Sequence, residues 1–250
     1  MTIAALVWFA VMTTVAAPQP SPARVAAAWS VHLLTALGGV AGTGALLALL
    51  ERELHAAALL LLAALAIDCV DGSLARAARV SEVLPWFDGR RLDDIVDFLN
   101  YVVVPAVFLV VAGSLANPLF AALPVLASSY GFCQEQAKTD DDFFLGFPSY
   151  WNVVALYLWL FATPASLGTL LVVALAVLVF VPLKYLYPSK MKVFWWTTNA
   201  GGALWIVAIT AVVLAPERVA PFHLLELSLL YPAYYIAGSL WLGGLARSRA

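Results

Sequence analysis

Four aspartates in an otherwise apolar chain have the residue type and the spacing needed to bind metal ions. Asp68 and Asp71 end one hydrophobic segment, and Asp93 and Asp97 begin the next. On helices, residues three or four positions apart lie on one face, so two such faces would gather four carboxylates. Ionised groups at membrane depth are costly and like charges repel, and divalent cations with oxygen ligands would remove that cost. The pattern therefore predicts a metal-loaded pocket at a membrane surface.

The composition predicts that these aspartates belong to an integral membrane protein. Hydrophobic residues make up 64% of the chain and charged residues only 11%, and the mean hydropathy is +0.93. A soluble domain has about 25% charged residues. The net charge of -2 argues against nucleic-acid binding. The two cysteines are too few for a disulfide framework, and no Cys or His spacing suggests a zinc site.

Eight hydrophobic segments have roughly the ~20-residue length that spans a bilayer. They predict an all-α polytopic bundle of about eight spans, within one membrane domain at residues 24–250. Residues 1–23 are apolar and then proline-rich, and residues 1–17 fit an interfacial or marginally spanning helix better than a cleaved signal peptide. Residues 24–32 fit a short amphipathic helix that leads into the first span. The eight segments are 29–50, 54–73, 92–113, 118–137, 147–162, 166–187, 193–214 and 222–245.

The distribution of basic residues predicts the orientation of the bundle, because cytoplasmic loops are rich in Lys and Arg. If the segment ending at Asp71 runs toward the cytoplasm, only Arg52 and Arg218 of the 13 Lys and Arg residues face outward. The opposite orientation leaves only those two inside. The aspartates are therefore expected on the cytoplasmic side.

The region from Asp68 to Asp97 resembles the signature of the CDP-alcohol phosphatidyltransferases, and eight positions carry the resemblance. They are Asp68, Asp71, Gly72, Ala75, Arg76, Gly89, Asp93 and Asp97. The gap of twelve residues, 77–88, between Arg76 and Gly89 is longer than is common in the family and resembles its bacterial phosphatidylcholine synthase branch. The segments 92–105 and 130–152 are similar to the same branch.

The resemblance implies a fold and a reaction. It implies a homodimer with a core of about six helices per chain, in a bacterial inner membrane. The implied reaction transfers a phosphatidyl group from CDP-diacylglycerol to choline and releases CMP, with the active site on the cytoplasmic side. The chain contains no Ser/His/Asp or Cys/His arrangement that suggests a covalent enzyme intermediate.

The resemblance also implies roles for the signature residues. Asp68, Asp71 and Asp93 are expected to bind metal. Asp97 is expected to take the proton of the incoming hydroxyl and is also included among the metal ligands, because the two roles overlap in the family. The oxygen ligands fit Mn²⁺ or Mg²⁺, and the choline branch favours Mn²⁺. The residues expected to bind the CDP-lipid are Asp68, Gly72, Ala75, Arg76 and Gly89. Small residues would let the nucleotide approach the backbone, and the guanidinium fork suits a phosphate.

The acceptor site is predicted from the chemistry of choline. A quaternary ammonium is held by aromatic faces and nearby carboxylates. The stretch 135–152 offers both, and Glu135, Tyr150 and Trp151 are the favoured residues.

Two alternatives stay open. The acceptor could be serine, inositol or glycerol phosphate, although a phosphorylated acceptor would need a further basic pocket. The protein could instead be a cation or proton transporter, whose acidic residues would be spread through the bilayer depth rather than collected at one side.

Overall fold

The computed structural model describes residues 20–135 and 137–244. Within these residues nearly all regular structure is helical, which agrees with the predicted all-α polytopic membrane protein. The predicted signal peptide or interfacial helix of residues 1–17 lies outside the described residues.

The first two helices form an antiparallel hairpin that sets the position of the aspartates. Helix α1 covers Pro22–Leu50 and helix α2 covers Leu54–Ala77. The hydroxyl of Ser21 caps α1 by accepting a hydrogen bond from the Arg24 backbone, and Pro22 suits the first helical turn. Helix α1 is continuous, so the predicted amphipathic helix 24–32 is its first part and not a separate element.

The third rod carries the second pair of aspartates. A short helix α3, Val80–Val83, precedes α4, Gly89–Asp97, which Asp88 caps by accepting from the Arg91 backbone at 3.0 Å. The rod continues through a π-helical segment, Phe98–Val103, into α5, Val104–Val111. One end of the bundle therefore holds the start of α1, the end of α2 and the start of α4.

The remaining helices are shorter, with one exception. By length and apolar character, four helical rods of the described chain can cross a membrane: α1, α2, Gly89–Val111 and α9. The predicted segment 222–245 is divided into several short helices, so the count of eight spans and the six-helix core stay predictions. The other elements are a 3-10 turn at Pro118–Ala121, α6 Ala122–Cys133, α7 Trp151–Leu160, α8 Ala165–Leu178, α9 Trp195–Leu214, α10 Pro216–Val219, a 3-10 turn at Ala220–Phe222, α11 Leu224–Ser228 and α12 Leu230–Leu242.

A two-stranded antiparallel sheet joins two connections that the sequence predicts as helical ends or loops. Strand β1, Phe143–Leu145, pairs with β2, Lys184–Leu186. The prediction of one helical segment over 166–187 is wrong at its end, because α8 stops at Leu178 and Pro182 cannot donate a helical hydrogen bond. Helix α12 supports β2, since Tyr235 donates to the Leu186 carbonyl at 2.8 Å.

The interior and the surface of the bundle are both apolar. Phe108, Trp151 and Ile209 have no exposed surface and belong to one large core cluster. Leu33 and Leu204, on the long helices α1 and α9, are 62% and 70% exposed. Large apolar side chains exposed along helices are typical of surfaces that face lipid.

Candidate active site

Three of the four predicted metal ligands converge between the end of α2 and the start of α4. Carboxylate oxygens of Asp68, Asp71 and Asp93 all lie within 4.8 Å of one another. Asp71 is buried, with 5% of its surface exposed, and the other two are half-buried. Three carboxylates this close form a hard oxygen site that fits Mg²⁺ or Mn²⁺. The donor set could hold a divalent metal ion.

Two of these carboxylates are held by side chains from other elements. Thr35 of α1 donates a hydrogen bond to Asp71 Oδ2 at 2.7 Å, and Tyr101 of the π segment donates to Asp68 Oδ2 at 2.5 Å. Each bond engages one oxygen of a carboxylate, and residues that hold metal ligands in other proteins make bonds of this kind. The sequence predicts neither bond. Nothing in the sequence around Thr35 marks it as a partner of Asp71. Tyr101 lies four positions after Asp97, a spacing that puts two helical residues on one face and could have indicated its role.

Asp97 lies beside Asp68 but is not one of the three aspartates that converge. It is half-buried at the last position of α4, next to the π segment. The structure therefore brings all four predicted aspartates into one neighbourhood and separates Asp97 slightly from the trio. The division of these aspartates into metal ligands and a proton acceptor stays a prediction.

The predicted nucleotide-binding residues have distinct surroundings. Arg76 is exposed and donates to Ser73 at 3.1 Å. A methyl group on Gly72 would meet Arg76 at an ordinary contact distance of 3.5 Å. Ala75 is half-buried against the cluster formed by α3 and α1. The positive charge of Lys138 lies near enough to attract the carboxylates of Asp68, Asp93 and Asp97.

Gly89 faces a protein ring. A methyl group at this position would lie 2.5 Å from Cε1 of His32. His32 is buried, with 6% of the residue exposed, and Trp29 and Phe87 pack around its ring. Close approach of a nucleotide therefore remains a prediction, and accommodation of His32 is a structural reason for glycine here.

The long gap between Arg76 and Gly89 builds part of this end of the bundle. Val80, Val83 and Leu84 pack against Ala28 and Val31 of α1 in a small separate core. Burial of these side chains stabilises the connection through the hydrophobic effect. The extra residues thus fix the start of α4 relative to α1.

The structure places the three predicted choline ligands in different environments. Glu135 is exposed, and Trp151 is fully buried, with its indole N–H donating to Ser128 at 2.8 Å. Ser128 in turn donates to Ser149 at 2.8 Å, next to Tyr150. The side chain of Trp151 is packed inside the protein core, and its contact with an acceptor stays a prediction.

Tyr150 instead belongs to a cluster of tyrosines beside the aspartates. Its ring centroid lies 6.0 Å from that of Tyr101 and 5.7 Å from that of Tyr235. Tyr101 connects this tyrosine cluster to Asp68 through the hydrogen bond described above. The sequence prediction missed Tyr235, which comes from distant α12.

Comparisons with known proteins agree with the geometry of this site. The sequence profile described as CDP-alcohol phosphatidyltransferase matches residues 28–181, which include the four aspartates. A protein named phosphatidylcholine synthase from Legionella pneumophila is 43% identical over 170 residues, or 66% of each chain. Proteins of the same name from Bradyrhizobium diazoefficiens and Pseudomonas aeruginosa are 42% and 35% identical. Those two matches cover 81% and 88% of this chain and 77% and 94% of the relatives.

Proposed function

The chain belongs to the CDP-alcohol phosphatidyltransferase family, and we propose that it transfers the phosphatidyl group of CDP-diacylglycerol to choline and releases CMP. The observation that carries the proposal is the convergence of Asp68, Asp71 and Asp93 within 4.8 Å inside the matched region. The choice of choline is supported by the phosphatidylcholine synthases to which the chain is similar.

In this proposal Asp68, Asp71 and Asp93 hold Mn²⁺ or Mg²⁺. A bound divalent ion supplies charge stabilisation at the phosphoryl oxygens during an in-line displacement. The hydrogen bonds from Thr35 and Tyr101 keep two of the carboxylates in position before substrate arrives. Preference for Mn²⁺ rests on the similarity to phosphatidylcholine synthases.

The chemical step is a direct displacement. The choline hydroxyl oxygen bonds to the phosphatidyl phosphorus, the bond from that phosphorus to the CMP oxygen breaks, and Asp97 accepts the hydroxyl proton. Gly72, Ala75 and Gly89 would lie along the nucleotide, with Arg76 on a phosphate. Lys138 would be a second cation for the donor phosphates, because its positive charge lies near the same aspartates.

The ammonium group of choline would lie against the tyrosine cluster of Tyr101, Tyr150 and Tyr235. Aromatic faces attract quaternary ammonium groups within about 6 Å. Only two carbons separate the nitrogen of choline from its hydroxyl, so the ammonium site must adjoin the aspartates, as this cluster does. Trp151 then acts behind Tyr150 through Ser128 and Ser149, and Glu135 would attract the cation from outside.

The wider setting follows from the sequence and the family. The proposal includes one membrane domain at 24–250, preceded by the apolar and proline-rich segment 1–23, with about eight spans around a six-helix core. The pattern of basic residues favours an active site on the cytoplasmic side of a bacterial inner membrane. A homodimer is proposed from the family alone.

An acceptor assay tests the reaction. Purified protein is incubated with CDP-diacylglycerol, Mn²⁺ and one labelled alcohol at a time: choline, serine, inositol or glycerol phosphate. Metal-dependent release of CMP with formation of labelled phosphatidylcholine is expected only with choline. Product with another alcohol and none with choline would identify that alcohol as the acceptor and would leave the family assignment unchanged. Absence of CMP release with every alcohol would contradict the transferase assignment.

Three variants separate the roles of the aspartates. Asp97→Asn should retain metal-dependent nucleotide binding and lose most turnover. Asp71→Asn should weaken the nucleotide binding itself. Asp94→Asn on the same helix is the matched control and should change neither quantity strongly. Equal losses of binding in the first two variants would remove the distinction between proton acceptor and metal ligand.

A further inference from the structure

A cleft at the aspartate end of the bundle is lined by two arginines and three alanines. It has a volume of about 300 Å³ between the start of α1 and the end of α2. The residues that line it are Arg24, Ala27, Ala77, Ala78 and Arg79. Pockets for small ligands range from roughly 300 to 1,000 Å³, so this cleft suits one small polar group.

The positive charge of the cleft is only weakly compensated. Arg79 pairs with Glu82 at 3.9 Å, and these side chains are 69% and 64% exposed. An exposed pair at this distance holds its partners weakly because water screens it. Among the described residues Arg24 has no ion pair, and residues 1–19 contain no Asp or Glu. The cleft therefore offers two guanidinium groups to an anion.

The cleft lies beyond the candidate metal ligands, toward the end of α2, and at the depth of the membrane surface. Ala77 follows Asp71 by six residues, about 9 Å along α2. Trp29 and Trp86 lie at this end, with ring centroids 5.7 Å apart and exposures of 39% and 71%. Exposed tryptophans are typical of the boundary between lipid and water. An anion in the cleft would thus be at headgroup level.

We propose that Arg24 and Arg79 form a binding site for the phosphate group of an anionic membrane lipid. The planar guanidinium fork matches two phosphate oxygens, and two forks can hold one phosphate from both sides. The three alanines keep the space between them open. A soluble phosphate carries the same group, so the experiment includes it as a separate arm. The site is independent of the proposed reaction.

Native mass spectrometry in neutral detergent tests the site without any substrate. The probes are phosphatidylglycerol, diacylglycerol as the lipid without phosphate, and inorganic phosphate. The proteins are wild type, Arg24→Gln/Arg79→Gln, and the control Arg52→Gln/Arg218→Gln. Arg52 lies in the turn at the other end of the α1–α2 hairpin. The affinity of the cleft variant for phosphatidylglycerol should be lower than that of wild type by about tenfold or more, and the control should bind like wild type.

Each outcome decides the proposal. Diacylglycerol binding should be equal in all three proteins. Loss of inorganic phosphate binding in the cleft variant, with phosphatidylglycerol binding unchanged, would keep the phosphate site and assign it to a soluble compound. Unchanged binding of both probes would overturn the site. Thermal unfolding checks the fold of the double variant, and the single variants Arg24→Gln and Arg79→Gln replace it if it is unstable.

Discussion

Replacing Gly89 by alanine tests why a glycine begins α4. The new methyl group would lie 2.5 Å from Cε1 and 3.2 Å from Nδ1 of the His32 ring. The ring cannot swing away freely, because it is 6% exposed and lies 4.4 Å from Phe87 and 5.8 Å from Trp29, centroid to centroid. Either the ring or the start of α4 must move.

Two opposing effects set the expected size of the change. The overlap of about 1 Å is an overpacked contact, which costs roughly 1–3 kcal/mol. Alanine is favoured over glycine by roughly 0.5–1 kcal/mol in the middle of a helix, and by less at the first helical position, where Gly89 lies. The free energy of unfolding of Gly89→Ala should therefore fall by about 1–2 kcal/mol, a decrease in Tm of roughly 2–8 °C for a protein of this size. In a His32→Ala background only the helical preference remains, so the sign should reverse.

Four proteins complete the assay: wild type, Gly89→Ala, His32→Ala and the double variant. Thermal unfolding of all four in one detergent gives the coupling between the two positions, which residues in contact show at about 0.5–3 kcal/mol. The same samples give the KM for CDP-diacylglycerol. The cost of removing the buried ring itself cancels in this cycle.

Equal losses of Tm from Gly89→Ala in both backgrounds would refute the steric role of His32. The KM for CDP-diacylglycerol tests the second explanation for the glycine, which is close approach of the nucleotide to the backbone. If Tm recovers in the double variant while KM stays raised, the methyl group obstructs the nucleotide, as the sequence predicts. If both recover, the ring of His32 is the whole reason for glycine.

Three further predictions concern packing, metal binding and pH. Gly42→Ala would place a methyl group against Asn100 Oδ1, well inside van der Waals contact, and we expect the free energy of unfolding to fall by about 1–3 kcal/mol in thermal unfolding. Thr35→Val removes the hydrogen bond to Asp71 and should raise the Mn²⁺ concentration for half-maximal binding by about 10–100-fold in calorimetry. The hydrogen bond from Lys184 holds the pKa of Asp141 below its usual value. The stabilisation from this hydrogen bond is therefore present above about pH 4 and is lost as the pH falls through the lowered pKa of Asp141 in the folded state. Because the pair is partly exposed, it contributes less than ~1 kcal/mol.

Matched variants keep these predictions specific. Gly39→Ala on the same helix meets only an ordinary contact at 3.5 Å, so a loss as large as that of Gly42→Ala would contradict the packing argument. Thr43 donates within its own helix, and Thr43→Val should leave Mn²⁺ binding unchanged. Asp141→Asn should lower Tm near neutral pH in wild type but not in Lys184→Gln. A pH-independent difference would exclude the ion pair as its cause.

The convergence of the aspartates could be predicted because helical spacing acts locally and a shared divalent cation would offset the repulsion between the carboxylates. Asp68 and Asp71 lie three residues apart on α2, and Asp93 and Asp97 lie four residues apart on α4. Oxygens of three of the four side chains lie within 4.8 Å of one another, and the spacings account for the part of this arrangement that lies within each helix. The long helices could be predicted for a similar reason, since length and hydropathy determine whether a segment can span a membrane.

The features that the sequence did not reveal depend on contacts between distant elements. Thr35 reaches Asp71 from 36 positions away, and Tyr235 joins the tyrosine cluster from the last long segment. The strand pair of β1 and β2 also forms between two connections, each too short to carry a recognisable pattern. Burial of Trp151 shows the limit most clearly, because an aromatic residue near a membrane boundary fits a ligand site, an anchor or a core equally well by type.

The π-helical segment after Asp97 explains how one rod serves two neighbours. In a regular α-helix Tyr101, eight positions beyond Asp93, would lie about 80° around the axis from it. A π turn is wider and rotates less per residue, so it returns Tyr101 toward the face of Asp93, and both side chains reach Asp68. Asn100, one position earlier, then donates to the Gly38 carbonyl of α1 at 3.0 Å. Because the same wide turn sets both contacts, neither could be derived from the spacing of the aspartates alone.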